Sequence, residues 1–415
     1  MPKHVEKFKE DSEKLQEEFE FTSIESLARE GARQLLAKAL EHEVGIFLKE
    51  YGDLMTDEGK KVVVRNGYNK PRDILFGGGT LTVSVPRTRN RLGGDNYTSA
   101  IVPVYMRKSL QIDEGIPLLY LYGVSERDME GAVRGLFGDA AKGISAASVS
   151  RMKKIWTKAY EEWQKSRYEG KKYCYVWVDG IYFNVQGSND KLCVLVMIGV
   201  NENGDKELLM VEEGYRESSE TWAVLLRQMK EKGLVCPKLF IGDGSLGFWK
   251  AAKEVYPEAK SQRCWAHKIR NILAKLPKTL HSKAKSMVHE IYNAPDEESA
   301  RKAADTFKKT FEAKYYQAVD CLMKDLDLLL MFYQFPAEHW LHIRSTNAIE
   351  STFSTVRLRT NKTRGCGNRE TIKVMVFKLL EKASKRWRKL RGHEKVQMVL
   401  NGVCFQDGLV FNQAA

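Results

Sequence analysis

Apolar positions along this 415-residue chain change their period several times, and each change marks a different kind of element. Between Ser23 and Gly52, Ile24, Leu27, Leu35, Leu36, Leu40, Val44, Phe47 and Leu48 fall near helical spacing and predict an amphipathic helix. Further on, RNGYNKPRDILFGGGTLTVSVPRTRNR has a Gly-rich turn and then alternating Leu81, Val83 and Val85, a strand signature. Helical spacing returns in GVSERDMEGAVRGLFG, where Ser125 is a candidate N-cap with Asp128 three residues on, and the helix is expected to stop near Gly135 or Gly138. A second helix follows a candidate cap at Ser145, so the pair forms a candidate helix-turn-helix.

The pattern then turns to α/β. YCYVWVDGIYFNV, LCVLVMIGVN and ELLMVEEGY predict three strands, with NENGD as a hairpin turn between the last two. A helix (SSETWAVLLRQMKEKG), a strand (KLFIGD) and another helix (GFWKAAKEVYP, ended by Pro257) come next. Three antiparallel-type strands, a helix, a strand and a helix is the order of an RNase H-like core. Residues 276–340 are helical and mixed in charge with no strand pattern, and a long helical stretch rich in Arg and Lys is expected over 341–395.

The expected fold is therefore mixed α/β: an RNase H-like core interrupted by an all-helical insertion, preceded by helical and small β modules. The expected segments are 1–60 (helical, a candidate dimerisation region), 61–110 (small basic β element), 111–168 (helical), 169–278 (first part of the core), 279–340 (insertion), 341–395 (last part of the core) and 396–415 (tail). The acid-rich first segment suits a protein partner or packing on its own chain, and the sequence leaves both open.

Charge narrows the partner. Lys and Arg number 67 against 54 Asp and Glu, a formal net of +13, which points first to a polyanion such as nucleic acid. From Arg65 to Arg91 there are six basic residues and one acid, and this rim, with Arg87 and Arg89, is a candidate phosphate-contacting edge. In the second helix of the candidate helix-turn-helix, Ser148, Arg151 and Lys154 are candidates to face a groove. From Arg344 to Lys395 fifteen basic residues stand against four acids. The seven Cys are scattered and odd in number, which fits a reducing compartment rather than a disulfide framework. The longest apolar run, 192–200, is far short of a membrane span, and the N-terminus has no apolar signal core, so a soluble cytoplasmic protein is expected.

Three acids stand out against this background. Asp179 lies in VWVDGIYFNV, where an acid is costly unless paired or bound to metal, although Asp-Gly also favours a turn at a strand end. Asp243 closes KLFIGD, at the strand end where α/β sheets place ligand-binding groups. In the expected fold the two acids end neighbouring central strands. Two carboxylates alone would repel, and a divalent cation removes that conflict. Mg²⁺ takes oxygen ligands and keeps waters, which suits a site shared with a phosphodiester. Glu350, in HIRSTNAIESTFSTVRLRT, falls near the start of a helix that Ser345 or Thr346 is placed to cap. A Glu on a helix is ordinarily solvated; here it is the third acid, on the most basic part of the chain. Arg344, Asn347, Arg357, Arg359, Arg386 and Arg388 in that part are candidate DNA contacts.

The stretch QRCWAHKIRN adds Cys264 and His267, half of a zinc site with no partner pair at fitting spacing. A supporting role near the acids is favoured over zinc, and no zinc is expected. Arg263, Lys268, Arg270 and Asn271 read as DNA-facing, and Trp265 as core-filling in preference to base-stacking.

Six fragments in order resemble one family: RNGYNKPRDILFGGGTLTVSVPRTR, LYLYGVSERDMEGAVRGLFG, ISAASVSRM, YVWVDGIYFNV, FIGDGSLGFWKAAKEVYPEAKSQRCWAHKIRNIL and STNAIESTFSTVRLRT. They are similar to the bacterial insertion-sequence transposases of the Mutator superfamily, from about Arg65 to Trp387. RSTNAIEST and RGCGN depart slightly from the family's commonest forms and leave the acids in place. The resemblance implies a DDE-type acidic triad at Asp179, Asp243 and Glu350, with the family's Cys-x2-His signature at Cys264 and His267. It implies Mg²⁺ or Mn²⁺ dependence, recognition of terminal inverted repeats in double-stranded DNA, assembly as a homodimer or larger, and residence on the bacterial nucleoid. It also implies cleavage by water, then attack by the released 3′-hydroxyl on a second phosphodiester, with a circular intermediate. Competing readings are an RNase H-like nuclease or resolvase without strand transfer, and a transcription regulator with an inactive core. A Tyr or Ser recombinase is a further option, but no Arg-His-Arg-Tyr arrangement stands out.

Overall fold

The structure is a computed structural model and describes residues 23–125, 128–138, 146–185, 191–214, 218–244, 247–362 and 368–411. The chain divides into two compact units, Met1–Met152 and Lys153–Ala415.

In the first unit, helix α1 (Ile24–Glu50) starts at Ser23, whose hydroxyl accepts from Ser26 N while Ser26 Oγ accepts from Ser23 N. Only the C-terminal half of its apolar set meets a core. Leu40 is buried with Ile74, Leu81, Val83, Val85 and Val102, whereas Ile24, Leu27 and Leu35 are exposed. Glu41 accepts from Arg65 and Tyr68, and Glu43 accepts from Tyr97, Ser99 and Ala100, so two acids of the helix bind their own chain. Four short strands follow: β1 (Val63–Tyr68), β2 (Arg72–Phe76), β3 (Gly79–Val83) and β4 (Pro86–Asn90), with β1 antiparallel to β4 and β2 to β3. Arg87 and Arg89 alternate outward on β4. Helices α2 (Leu110–Leu121) and α3 (Met129–Phe137) come next, and α3 ends at Gly138, whose φ of +84° is a glycine conformation. Ser125 Oγ accepts from Asp128 N and donates to its carboxylate, but the helix starts only at Met129 with Asp128 at its N-cap, so Ser125 is not the cap that the sequence suggested. Helix α4 (Ala146–Gln164) spans the division between the units. Ser145 lies outside the described residues, as do the side chains of Ser148 and Arg359.

The second unit is built on a five-stranded sheet: β5 (Tyr173–Asn184), β6 (Lys191–Asn201), β7 (Lys206–Gly214), β8 (Leu239–Gly242) and β9 (Lys260–Arg263), in the spatial order β7-β6-β5-β8-β9. Strands β5, β6 and β7 are antiparallel neighbours, and β8 and β9 run parallel to β5. The first part of β5 and nearly all of β6 are buried residue after residue, which is why they read as continuous apolar runs. Gly204 in the β6–β7 turn has φ +80°, and a Cβ there would collide with His393. Helices α5 (Ser219–Glu231) and α6 (Phe248–Val255) bring Trp222, Leu226, Met229, Phe248 and Ala251 onto Val176, Val178, Leu195 and Phe240 to form the main core. Burying side chains of this size contributes about 1.5–3 kcal/mol each. Tyr160 and Trp163, in the last turns of α4, stack on Phe377 of this unit.

Strand β9 was not foreseen; it is a four-residue polar segment, KSQR, with only Gln262 buried. Helix α7 (Trp265–Leu273) leaves it directly. After α7 come α8 (His281–Tyr292), α9 (Glu297–Met323, kinked at Tyr315), α10 (Leu326–Leu329) and α11 (Trp340–Ile343). The expected single helical stretch over 341–395 is two helices, α12 (Asn347–Lys362) and α13 (Arg369–Ser384). Arg386 and Arg388 therefore lie beyond a helix end, not on a basic helix. Helix α12 packs on β5 and α13 on β7. The tail is ordered more than its sequence suggested: helix α14 (Val396–Leu400) is followed by a small hairpin, β10 (Phe405–Gln406) and β11 (Leu409–Val410). Gly408 exchanges backbone hydrogen bonds with Ala337 and Tyr333, which tie the hairpin to the chain before α11. No disulfide joins the six described cysteines, and no described helix is long and apolar enough to cross a membrane.

Candidate metal centre at the carboxyl end of the central strands

Two sheet strands and two helices deliver the candidate residues. Trp177 of β5 partners Ile241 of β8, and Asp179 and Asp243 each lie two residues further along. Asp179 is not at a strand end. It sits inside β5 opposite Val196 of β6, because β5 runs on past the short β8. The Asp-Gly turn reading thus fails at 179: the pair is in extended strand. Asp179 is 7% exposed, and one of its oxygens accepts from Gly180 N at 2.9 Å.

Glu350 stands in the first turn of α12, its N–H donating to Thr346 O at 2.9 Å. The start of α12 is anchored to the start of α7. Trp265 N donates to Arg344 O (3.0 Å), Thr346 N donates to Cys264 Sγ (3.2 Å), and Thr346 Oγ1 lies 3.2 Å from the same sulfur. Cys264 N in turn donates to Gly242 O at the end of β8. One turn into α7, His267 places Nδ1 3.4 Å from Thr346 Oγ1 and Nε2 3.2 Å from Glu350 Oε1. Ligand atoms of Asp179, His267 and Glu350 all lie within 4.8 Å of one another. Two carboxylates so close repel unless a cation or a proton offsets them. Two oxygen donors and an imidazole this close together are a donor set that suits a divalent cation. Cys264 takes no part in that set; its sulfur faces Thr346, and burial pushes the thiol pKa up. The Cys-x2-His pair therefore splits, one residue anchoring a helix and the other joining the acids.

Asp243 stands outside this three-residue group. Its carboxylate accepts from Gly244 N, and its backbone oxygen accepts from Trp249 Nε1 (2.6 Å) and Arg263 Nη1 (3.1 Å). The Arg263 guanidinium also lies over the Trp249 ring at 4.7 Å. Sequence reasoning gave both Cys264 and His267 a supporting role near the acids; of the two, only His267 meets one directly, with Nε2 3.2 Å from Glu350. The signal for it was the two-residue gap after Cys264, which puts the two side chains on one face of a helix start.

The basic candidates divide by burial. Arg270 is exposed, 4.0 Å from Glu350, and Asn271, Asn347, Arg357, Arg386, Arg388, Arg151 and Lys154 are also exposed. Lys268 is turned inward, contrary to expectation. It is 5% exposed, pairs with Asp325 at 2.5 Å and donates to Cys321 O, so it offers no ammonium to phosphate. Arg344 is likewise engaged, donating to Tyr292 O (2.8 Å) and lying over that ring at 4.6 Å. Arg263 is half-buried against Asp243 and Trp249. Trp265 fills the core, 2% exposed, with Nε1 donating to Leu329 O.

Comparison with known proteins identifies the class: the chain is similar over most of its length to transposases. Residues 4–390 match the model of a family described as "Transposase, Mutator family", and the chain belongs to that family. It is 46% identical over 297 residues to the transposase for insertion sequence element IS6120 of Mycolicibacterium smegmatis, covering 72% of this chain and 92% of the relative. It is 46% identical over 285 residues to the transposase for element IST2 of Acidithiobacillus ferrooxidans, covering 68% and 96%. Among solved structures, the catalytic core domain of HTLV-2 integrase in complex with magnesium is 18% identical, covers 29% of this chain and 88% of that chain, and has a TM-score of 0.17, too low to bear on fold or function.

Proposed function

We propose that this transposase binds the terminal inverted repeats of an insertion sequence and cuts and joins DNA strands there, with Asp179, Asp243 and Glu350 as its catalytic acids on an RNase H-like core. The observation that carries the reading is the convergence of Asp179 from β5, Glu350 from α12 and His267 from α7 within 4.8 Å. The strand order β7-β6-β5-β8-β9, three antiparallel strands followed by two parallel ones, supports the RNase H-like reading.

Mg²⁺ or Mn²⁺ would be held by Asp179 and Glu350, with His267 beside them and Asp243 just past the end of β8. Such a cation, when bound, activates an attacking oxygen and stabilises a leaving one. The chain's own residues fix the geometry. Strand β5 holds Asp179 rigid within the sheet, and the α7–α12 anchor holds Glu350 at one helix start. Exposed Arg270 on α7 lies 4.0 Å from Glu350, and with exposed Asn271 on the same helix and Arg357 on α12 it would hold phosphates in register. The first attack uses water and frees a 3′-hydroxyl; that hydroxyl then attacks a second phosphodiester in line, with no covalent protein intermediate. Assembly as a dimer on two DNA ends and a circular joined product complete the proposal.

The deciding experiment incubates the full chain with its own flanking terminal repeats and Mg²⁺, and maps products to the nucleotide. Joined ends are the expected product. Nicked ends without joined strands would make it a nuclease, and unreacted but bound DNA would make it a binding protein.

A further inference from the structure

We infer that Thr346 is a positioning residue of the carboxylate site: its hydroxyl, set between Cys264 Sγ and His267 Nδ1, holds the imidazole so that Nε2 faces Asp179 and Glu350. The inference rests on the reading that these three residues face a divalent cation.

Thr346 is fully buried and Cys264 is 2% exposed, so bulk water does not compete for their polar atoms. The hydroxyl oxygen has two neighbours, Cys264 Sγ at 3.2 Å and His267 Nδ1 at 3.4 Å. A hydroxyl donates one hydrogen bond and accepts others, so it serves either direction of this relay. In one direction Nδ1–H donates to Thr346 Oγ1, and the hydroxyl donates to the sulfur. Nε2 then presents a lone pair toward Asp179 and Glu350, the form in which an imidazole binds a metal. In the other direction the thiol donates to the hydroxyl, the hydroxyl donates to Nδ1, and Nε2–H donates to Glu350 Oε1, 3.2 Å away. Both directions carry the same number of protons; they differ in which way the hydroxyl and thiol point and in which ring nitrogen carries the imidazole proton. The bond made by one ring nitrogen sets the state of the other. A side chain without the hydroxyl leaves Nδ1 without this partner and the ring without this hold. The backbone bond from Thr346 N to Cys264 Sγ does not depend on it, so the helix anchor survives such a change.

The test measures Mn²⁺ binding to the full chain by electron paramagnetic resonance of the free ion, alongside thermal unfolding. Thr346→Val keeps the side-chain shape and removes the hydroxyl, and is expected to weaken Mn²⁺ binding by about tenfold. Thr346→Ser restores the hydroxyl and is expected to bind within about twofold of the parent, since the same outer bond is remade. Asp179→Asn serves as the control. If Asp179→Asn weakens binding while Thr346→Val does not, the role of Thr346 is overturned. If Thr346→Ser binds as weakly as Thr346→Val, the hydroxyl is not the cause, and the role is overturned as well. Binding unaffected by Asp179→Asn would instead overturn the metal reading beneath it. Should Thr346→Val unfold, Thr346→Ala removes the same hydroxyl, leaves the bond from the residue 346 N–H to Cys264 Sγ, and should weaken binding in the same direction. Parent-like binding by that variant also overturns the inference.

Discussion

The imidazole of His267 and the carboxylate of Glu350 meet at 3.2 Å, joining α7 to α12 beside Asp179. A residue that orients a metal-binding carboxylate, or shares its metal, typically affects activity by about 10–100-fold. His267→Ala is therefore expected to slow cleavage of end-labelled terminal DNA by that order while leaving DNA retention in gel-shift assays unchanged. Parent-like cleavage would remove His267 from the site.

The three acids carry a stronger expectation. Asp179→Asn, Asp243→Asn and Glu350→Gln each preserve shape and remove a charge, and each should abolish strand cleavage in Mg²⁺ with end-DNA binding retained. Asp243 is the sharpest of the three, because it stands outside the group formed by Asp179, His267 and Glu350. Cleavage that persists in Asp243→Asn alone would leave a site of two carboxylates and an imidazole.

Burial separates two kinds of basic residue by experiment. Arg386 and Arg388 are exposed, and their replacement by Gln should reduce the salt dependence of DNA binding, by about 0.9 in the log–log slope for each phosphate they no longer neutralise. Lys268 pairs with Asp325 in the interior, and removing one partner of a buried pair costs about 3–5 kcal/mol. Lys268→Ala should thus lower the urea midpoint and leave the salt slope alone. A changed slope with unchanged stability would reverse the assignment.

His342 supplies a pH signature. Burial first, then the nearby charges of Lys206, His339 and Arg391, lower its pKa to about 4 from an ordinary 6.5. Between those values the unfolded chain binds a proton that the folded chain does not. Stability is therefore complete above pH 6.5 and falls as pH drops toward 4, by up to about 3 kcal/mol from this residue. His339, its pKa also lowered by burial, adds to the same trend. Urea unfolding at about pH 7 and about pH 5 should show the loss, and His342→Gln should flatten it. An equal loss in that variant would place the titrating group elsewhere.

Much of the second unit was legible because its strands are buried on both faces. The apolar runs of β5 and β6 admit few other readings, and Asp179 stood out as the one acid within such a run. What escaped was non-local. Strand β9 is polar, and it is held by pairing with β8 and by Gln262 Nε2 donating to Leu329 O, far along the chain. Lys268 reads as one more cation in a basic stretch until Asp325, 57 residues away, turns it inward. The role of Cys264 was hidden for the same reason: its partner is the backbone N–H of Thr346, 82 residues on, and no spacing rule reports such a pair.

The helices between α7 and α12 accept four bonds from the chain around the acids. Leu329 O accepts from Gln262 and Trp265, Cys321 O accepts from Lys268, and Tyr292 O accepts from Arg344. Each donor is within three residues of Cys264, His267 or Thr346. A trimmed fragment that kept the sheet and spliced α7 directly to α12 would strand those four donors at the doorstep of the acids. Any minimal catalytic fragment of this transposase must therefore carry these helices whole, through α10.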